Sequence, residues 1–214
     1  MRYNDVLERL IRTRRFAARA EMLEVKYCVS TPIGEMFYET IRRNNYTNCL
    51  EIGCLFGFST LFLAQAVDEI GGRLTVVDAR IEPINWDGKQ VFLDGAAERH
   101  VQEAGYASRV QFIWGRSENV LPALGQEGRR FHFALIDGDH RFASALLDLI
   151  QVDSMLEVGG AIALDDIGWA MAEKPNLHGC ANRVLAHLFA TSRYRIEVKS
   201  GNVCVCTKLK DVGT

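Results

Sequence analysis

Two short acidic runs hold the residues best suited to chemistry: Asp137-Gly138-Asp139-His140 and Asp165-Asp166. Each follows an apolar, strand-like segment, Phe131 to Ile136 and Ala161 to Leu164. If those strands are neighbours in a parallel sheet, Asp137, Asp165 and Asp166 converge at one edge of it. Carboxylates gathered this way suit a hard dication such as Mg²⁺, Ca²⁺ or Mn²⁺ rather than zinc. A dication so held lowers the pKa of a hydroxyl bound to it. His140 is then placed to accept the released proton, because imidazole titrates near neutrality. Asp137 and His140 are therefore the candidate catalytic residues. The alternative is that the aspartates cap strand-to-helix turns and His140 packs locally, which leaves the repulsion among the acids uncompensated.

A second constellation precedes them. Glu51-Ile52-Gly53-Cys54-Leu55-Phe56-Gly57-Phe58-Ser59 lies where an apolar run, Cys49 to Ile52, gives way to helix-like sequence. Glycine there lets the backbone pass close to a ligand, and a helix N-terminus offers unpaired N–H groups. Glu51, Gly53, Gly57 and Ser59 are candidate cofactor contacts. A dinucleotide fingerprint would need glycine at 55 and 58, where Leu55 and Phe58 stand; this weighs against a pyrophosphate cradle and a nicotinamide enzyme. Asp78 ends the next strand-like run, at a place where an acid accepts hydrogen bonds from ribose hydroxyls. Gly115-Arg116-Ser117-Glu118 ends the one after, although Ser117 and Glu118 could also serve only as helix caps.

These residues need a sheet to align them, and the chain supplies the pattern. Strand-like runs near 49–52, 74–78, 110–114, 131–136 and 161–164 alternate with helical stretches near 34–44, 59–69, 91–104, 117–124 and 141–155. After a further helix near 180–191, Tyr194 to Val198 and Val203 to Thr207 flank the turn Lys199-Ser200-Gly201-Asn202. The pattern predicts an α/β, doubly wound Rossmann-like fold: a mostly parallel seven-stranded sheet with a C-terminal antiparallel hairpin. Residues 1–26 read as an N-terminal amphipathic helix with Val6, Leu7, Leu10 and Ile11 on one stripe, and 27–214 as a single domain. Arg9, Arg12, Arg14, Arg15 and Arg19 in that helix read as a solvated face. The loop from Arg80 to Gln90 is irregular, and its Trp86 either stacks on a substrate or anchors the loop.

The 214 residues carry a net charge of -2, with no apolar run long enough to span a bilayer. Nucleic acid and membrane are therefore not expected partners. Six cysteines lie scattered without a CxxC pair, which points to a reduced, cytoplasmic protein rather than a zinc site or disulfide framework. A homodimer through the first helix is an arrangement the amphipathic stripe allows.

The glycine loop, Asp78 and the two acidic clusters, in this order, resemble the small metal-dependent class I S-adenosylmethionine-dependent O-methyltransferases of the catechol and caffeoyl-CoA type. They also resemble the related enzymes that methylate sugar hydroxyls on macrolide antibiotics. The resemblance covers roughly residues 27 to 208. It implies a methyltransferase fold in which Glu51, Gly53, Gly57 and Ser59 surround the methionine part of the cofactor and Asp78 binds its ribose. It further implies that Gly115 to Glu118, with Arg116 and Ser117, lines the adenine, together with Val120-Leu121-Pro122. Val29 and its neighbours would form the lip of the pocket, and Asp137, Asp165 and Asp166 would hold Mg²⁺. This chain has His140 where the catechol enzymes have a lysine and Asp166 where they have an asparagine, and its Arg80–Gln90 loop resembles an insertion. The expected activity is methylation of a small-molecule hydroxyl, whether sugar, aliphatic or phenolic. The alternatives are a metal-independent O- or N-methyltransferase, an NAD(P)-binding oxidoreductase, and a non-catalytic protein that only binds the cofactor.

Overall fold

The computed structural model describes residues 2–19, 21–165 and 192–211. The expected helix near 180–191 and the candidate ligand Asp166 lie outside the described residues. In chain order the elements are α1 (Asp5–Thr13), β1 (Arg15–Ala17), β2 (Met22–Glu24), α2 (Thr31–Asn44), β3 (Asn48–Ile52), α3 (Phe58–Glu69), β4 (Arg73–Asp78), β5 (Ile84–Trp86) and β6 (Lys89–Val91). They continue with α4 (Ala96–Glu103), β7 (Val110–Trp114), α5 (Ser117–Gln126), β8 (Phe131–Ile136), α6 (Phe142–Met155), β9 (Leu156–Leu164), β10 (Tyr194–Ser200) and β11 (Val203–Lys208).

The main sheet has seven strands in the order β10-β11-β9-β8-β3-β4-β7. The five from β9 to β7 run parallel, and β11 returns antiparallel to β9 with β10 paired antiparallel outside it. β3, β4 and β8 are buried along most of their length, because helices cover both faces of the parallel part. From Phe58 to Val67 every residue of α3 is buried, since α1, α2 and α4 all pack around it. The terminal hairpin is held to α6 by Lys208, only 1% exposed, which donates to the carbonyls of Asp153 and Leu156 at 2.8 and 2.7 Å. That places a cation on the C-terminal carbonyls of the helix, where the helix dipole favours it.

Two local expectations are corrected. The N-terminal helix does not run to residue 26: it ends at Thr13, where Arg14 turns left-handed at φ 54°. Residues beyond it form the β1–β2 hairpin, in which Phe16 and Leu23 point inward and their neighbours outward. Phe16 stacks on Phe56 at 4.2 Å between ring centroids, so tertiary packing overrides the helical signal of this arginine-rich stretch. Likewise the helix expected from 91 begins only at Ala96, because β5 and β6 form a hairpin first. Its turn is Asp87-Gly88, both at positive φ, as a tight two-residue hairpin requires.

The surface imagined for a homodimer is used inside the chain. Val6, Leu7 and Leu10 are buried in the main core. Several of the arginines are tied down locally: Arg9 pairs with Glu103 at 2.6 Å, and Arg14 and Arg15 donate to the carbonyls of Val25 and Met22. No helix among the described residues is long and apolar enough to cross a membrane.

Phe16 is 2% exposed and touches Phe56, Trp86 and His100. Phe16→Ala should therefore cost about 3–5 kcal/mol in urea unfolding. A loss below about 1 kcal/mol, the range of ordinary surface substitutions, would show that the hairpin is not part of the core.

Candidate active site

The five parallel strands end at one edge, and their backbones are stitched together there. Beyond the last ladder pairs, Gly53 N–H donates to Val77 C=O, Gly115 N–H to Asp78 C=O, and Asp137 N–H to Ile52 C=O, each at 2.9 Å. Asp165 N–H donates to Ile136 C=O at 3.2 Å. The chain turns outward in opposite directions from β3 and β8, which makes their junction the switch point where open α/β sheets bind ligands.

A cleft of about 630 Å³ opens at this edge, a size that accommodates a nucleoside-sized ligand. Gly53, Ser59, Asp78, Arg116, Ser117, Asp137 and His140 all line it, as do Trp114, Glu118 and Arg141. Gly53 sits at φ +84°, and a Cβ there would lie 2.1 Å from the carbonyl oxygen of Asp137. Only glycine lets the two loops close this tightly.

Asp78 fastens the glycine loop. Its Oδ2 accepts the Cys54 N–H at 2.8 Å, and its Oδ1 accepts the Arg80 N–H at 2.6 Å. A carboxylate has about four acceptor positions, so it can still receive hydroxyl donors from the cleft. Asp139 is held by Arg141 and Ser144, and Arg141 keeps its carboxyl down at about 2. His140, next to it, is exposed on the cleft surface.

Two expected contacts stand behind the cleft. Glu51 is fully buried and is not on its surface. It acts on the cleft through Ser59, whose hydroxyl donates to Glu51 Oε1 at 2.5 Å. Gly57 caps α3 at φ +86°, where a Cβ would come 2.9 Å from the Cα of Ala97; it serves the packing of α3 on α4. The cleft lip is Tyr27 and Cys28, while Val29 is buried one residue further on. Trp86 is 4% exposed, packed against Phe16, Phe56 and Tyr27, and absent from the cleft. It anchors the loop.

Burial pushes the Cys28 thiol up to about 12; the Arg14 charge opposes this, and the charges of Asp137 and Asp165 add to it. Among the described residues no three His, Cys, Asp or Glu side chains gather as a metal-binding group, and the third expected ligand, Asp166, is outside them. Residues that sequence reasoning missed include Arg80, whose guanidinium lies 5.0 Å over the Trp114 ring, and Asp148, buried behind Gly138. A second groove of about 500 Å³ lies between α2 and strands β9, β10 and β11, lined in part by Tyr46, Gly159 and Arg195.

Comparison with known proteins gives a consistent result. The profile of a family described as "Methyltransferase domain" matches residues 50–167, more than half of the chain. A catechol O-methyltransferase of Niastella koreensis is 32% identical over 93 residues, covering 43% of this chain and 37% of that protein. A catechol O-methyltransferase of Mycobacterium tuberculosis is 30% identical over 138 residues, covering 60% and 57%. The matches thus span only about half the length, or less, of these relatives. Among solved structures, the O-methyltransferase from Bacillus cereus in complex with SAH superposes with a TM-score of 0.72 at 18% identity, over 97% of this chain and 93% of that one.

Glu51 gives the site a measurable pH signature. Burial raises its carboxyl from 4.5 to about 7. Its Oε2 and the Thr60 hydroxyl oxygen are both buried without a hydrogen-bond partner among the described residues, and a proton on Oε2 would give them one. The folded state therefore keeps a proton that the unfolded chain releases from 4.5 upward. This contribution to stability is full at low pH and is lost as pH rises through about 7. In thermal unfolding, Glu51→Gln should be more stable than the parent at about pH 8, and the advantage should vanish toward about pH 4.5. An advantage that grows toward low pH would contradict the protonated state.

Proposed function

The chain belongs to the methyltransferase domain family, and on that premise we propose that it is an S-adenosylmethionine-dependent O-methyltransferase acting on a small-molecule hydroxyl, whether sugar, aliphatic or phenolic. The observation that carries this reading is the meeting, in one cleft, of the Gly53–Ser59 loop, Asp78 and Ser117 with Asp137 and His140. S-adenosylmethionine supplies an electrophilic methyl group on a sulfonium, which passes to the acceptor oxygen while sulfur leaves as the thioether.

The chain's residues have separable roles. Gly53 and Ser59, the latter set by Glu51, receive the methionine end. Asp78 accepts from the ribose hydroxyls, and Arg116 and Ser117 face the base. His140 takes the proton of the acceptor hydroxyl as its oxygen attacks, and the cleft walls hold acceptor and methyl in line. The donor chemistry also fits a hard dication, because Asp137 and Asp165 end adjacent parallel strands and offer only oxygen. With Asp166 they would hold Mg²⁺, which would lower the pKa of the acceptor hydroxyl. Cys28, Cys49, Cys54, Cys204 and Cys206 are free thiols, as suits a reducing, cytoplasmic setting.

Calorimetric titration with S-adenosylhomocysteine should give binding in the micromolar range or tighter, lost in Asp78→Ala. No binding to the parent protein would refute the cofactor reading. In turnover assays over hydroxyl acceptors, His140→Ala should lower the rate by about 10²–10⁴-fold with affinity for S-adenosylhomocysteine nearly unchanged. Chelation should abolish turnover and Mg²⁺ restore it; activity indifferent to chelator would select the metal-independent reading.

A further inference from the structure

Asp148 lies on α6, is 1% exposed, and its Oδ2 has no hydrogen-bond partner among the described residues. Leaving a buried carboxylate oxygen unpaired is costly, and an apolar side chain on this face of α6 would avoid the cost. The carboxyl stands between two loops of the cleft. On one side is Gly138, where a Cβ would come 3.7 Å from Oδ2. On the other is Ser117, whose side-chain hydrogen bonding opposes the burial that pushes the Asp148 carboxyl up to about 6. The charged groups acting on it, Glu118 and Asp139, are themselves acids and raise it further.

Ser117, the first residue of α5, and Gly138, in the loop after β8, both line the cleft. Asp148 is absent from the cleft surface and 1% exposed, yet it lies directly behind Gly138 and acts electrostatically with Ser117. We propose that Asp148 is a positioning residue for the cofactor: wedged behind Gly138, it orients Ser117 toward the cleft. This rests on the reading of the cleft as an S-adenosylmethionine site. Without the carboxyl, Ser117 is no longer held in its orientation, and the cofactor binds more weakly although the sheet is unaltered.

The test is a double-mutant cycle read by calorimetry with S-adenosylhomocysteine and by thermal unfolding, using the parent protein, Asp148→Ala, Ser117→Ala and the double variant. Each single change should weaken binding about tenfold, and the double variant should be no weaker than the worse single, because both remove one interaction. Asp148→Asn keeps an oxygen that Ser117 can donate to, so it should bind within about threefold of the parent. It should also melt at or above the parent temperature at about pH 8, since no buried charge remains. Should Asp148→Ala fail to fold, Asp148→Leu, which fills the same space, takes its place in the cycle. Losses that multiply to about a hundredfold, or an Asp148 variant without an acceptor that binds as the parent does, would overturn the proposal. A parent protein that binds no S-adenosylhomocysteine would instead overturn the cofactor reading, and this inference with it.

Discussion

The backbone contact between Gly53 and Asp137 is the constraint on which the rest of the site depends. β3 and β8 lie side by side in the sheet, and their outgoing loops separate from that contact. A side chain at position 53 would meet the Asp137 carbonyl at 2.1 Å, so the loops close only because the residue is glycine in a left-handed turn. Closing them places a loop able to hold a cofactor beside a loop carrying Asp137 and His140. The bonds from Gly53 to Val77 and from Asp137 to Ile52 fix the same junction from both sides.

Around that junction the fold gathers acids, and each is accommodated differently. Glu51 is buried with Ser59 as donor and holds a proton near neutrality. Asp78 remains on the cleft surface and takes its donors from backbone N–H groups. Asp139 is neutralised by Arg141. Asp148 has an oxygen without a hydrogen-bond partner among the described residues, and Asp137 and Asp165 follow adjacent parallel strands. An acid-rich site of this kind suits a cationic sulfonium and a dication, whose charges offset its own.

The alternation of elements was legible in the sequence because the central strands are short apolar runs bounded by Gly and Asp, and the order of the main sheet agrees with it. The residues at the strand ends were legible for the same reason: a parallel sheet puts the carboxyl ends of its strands on one edge. The β1–β2 hairpin was not, since three-residue strands set among arginines owe their form to Phe16 packing on Phe56. The β5–β6 hairpin did carry a local signal in Asp87-Gly88, which lies inside the stretch from Arg80 to Gln90 read as an irregular loop. Depth was harder to read than position. Nothing in the spacing shows that Glu51 and Gly57 stand behind the cleft while Gly53 and Ser59 stand on it. An acid such as Asp148 in the middle of a helix looks like a solvated residue until the packing of α6 is known.

The most direct test of a single cleft shared by cofactor and catalytic loop is hydrogen–deuterium exchange of the parent protein with and without saturating S-adenosylhomocysteine. Ligand should slow exchange together in the Gly53–Gly57 loop, in the segment after Asp78, and in the Asp137–Arg141 loop. Protection confined to the groove near Tyr46 and Gly159, or protection of the glycine loop with the Asp137–Arg141 loop unchanged, would contradict it.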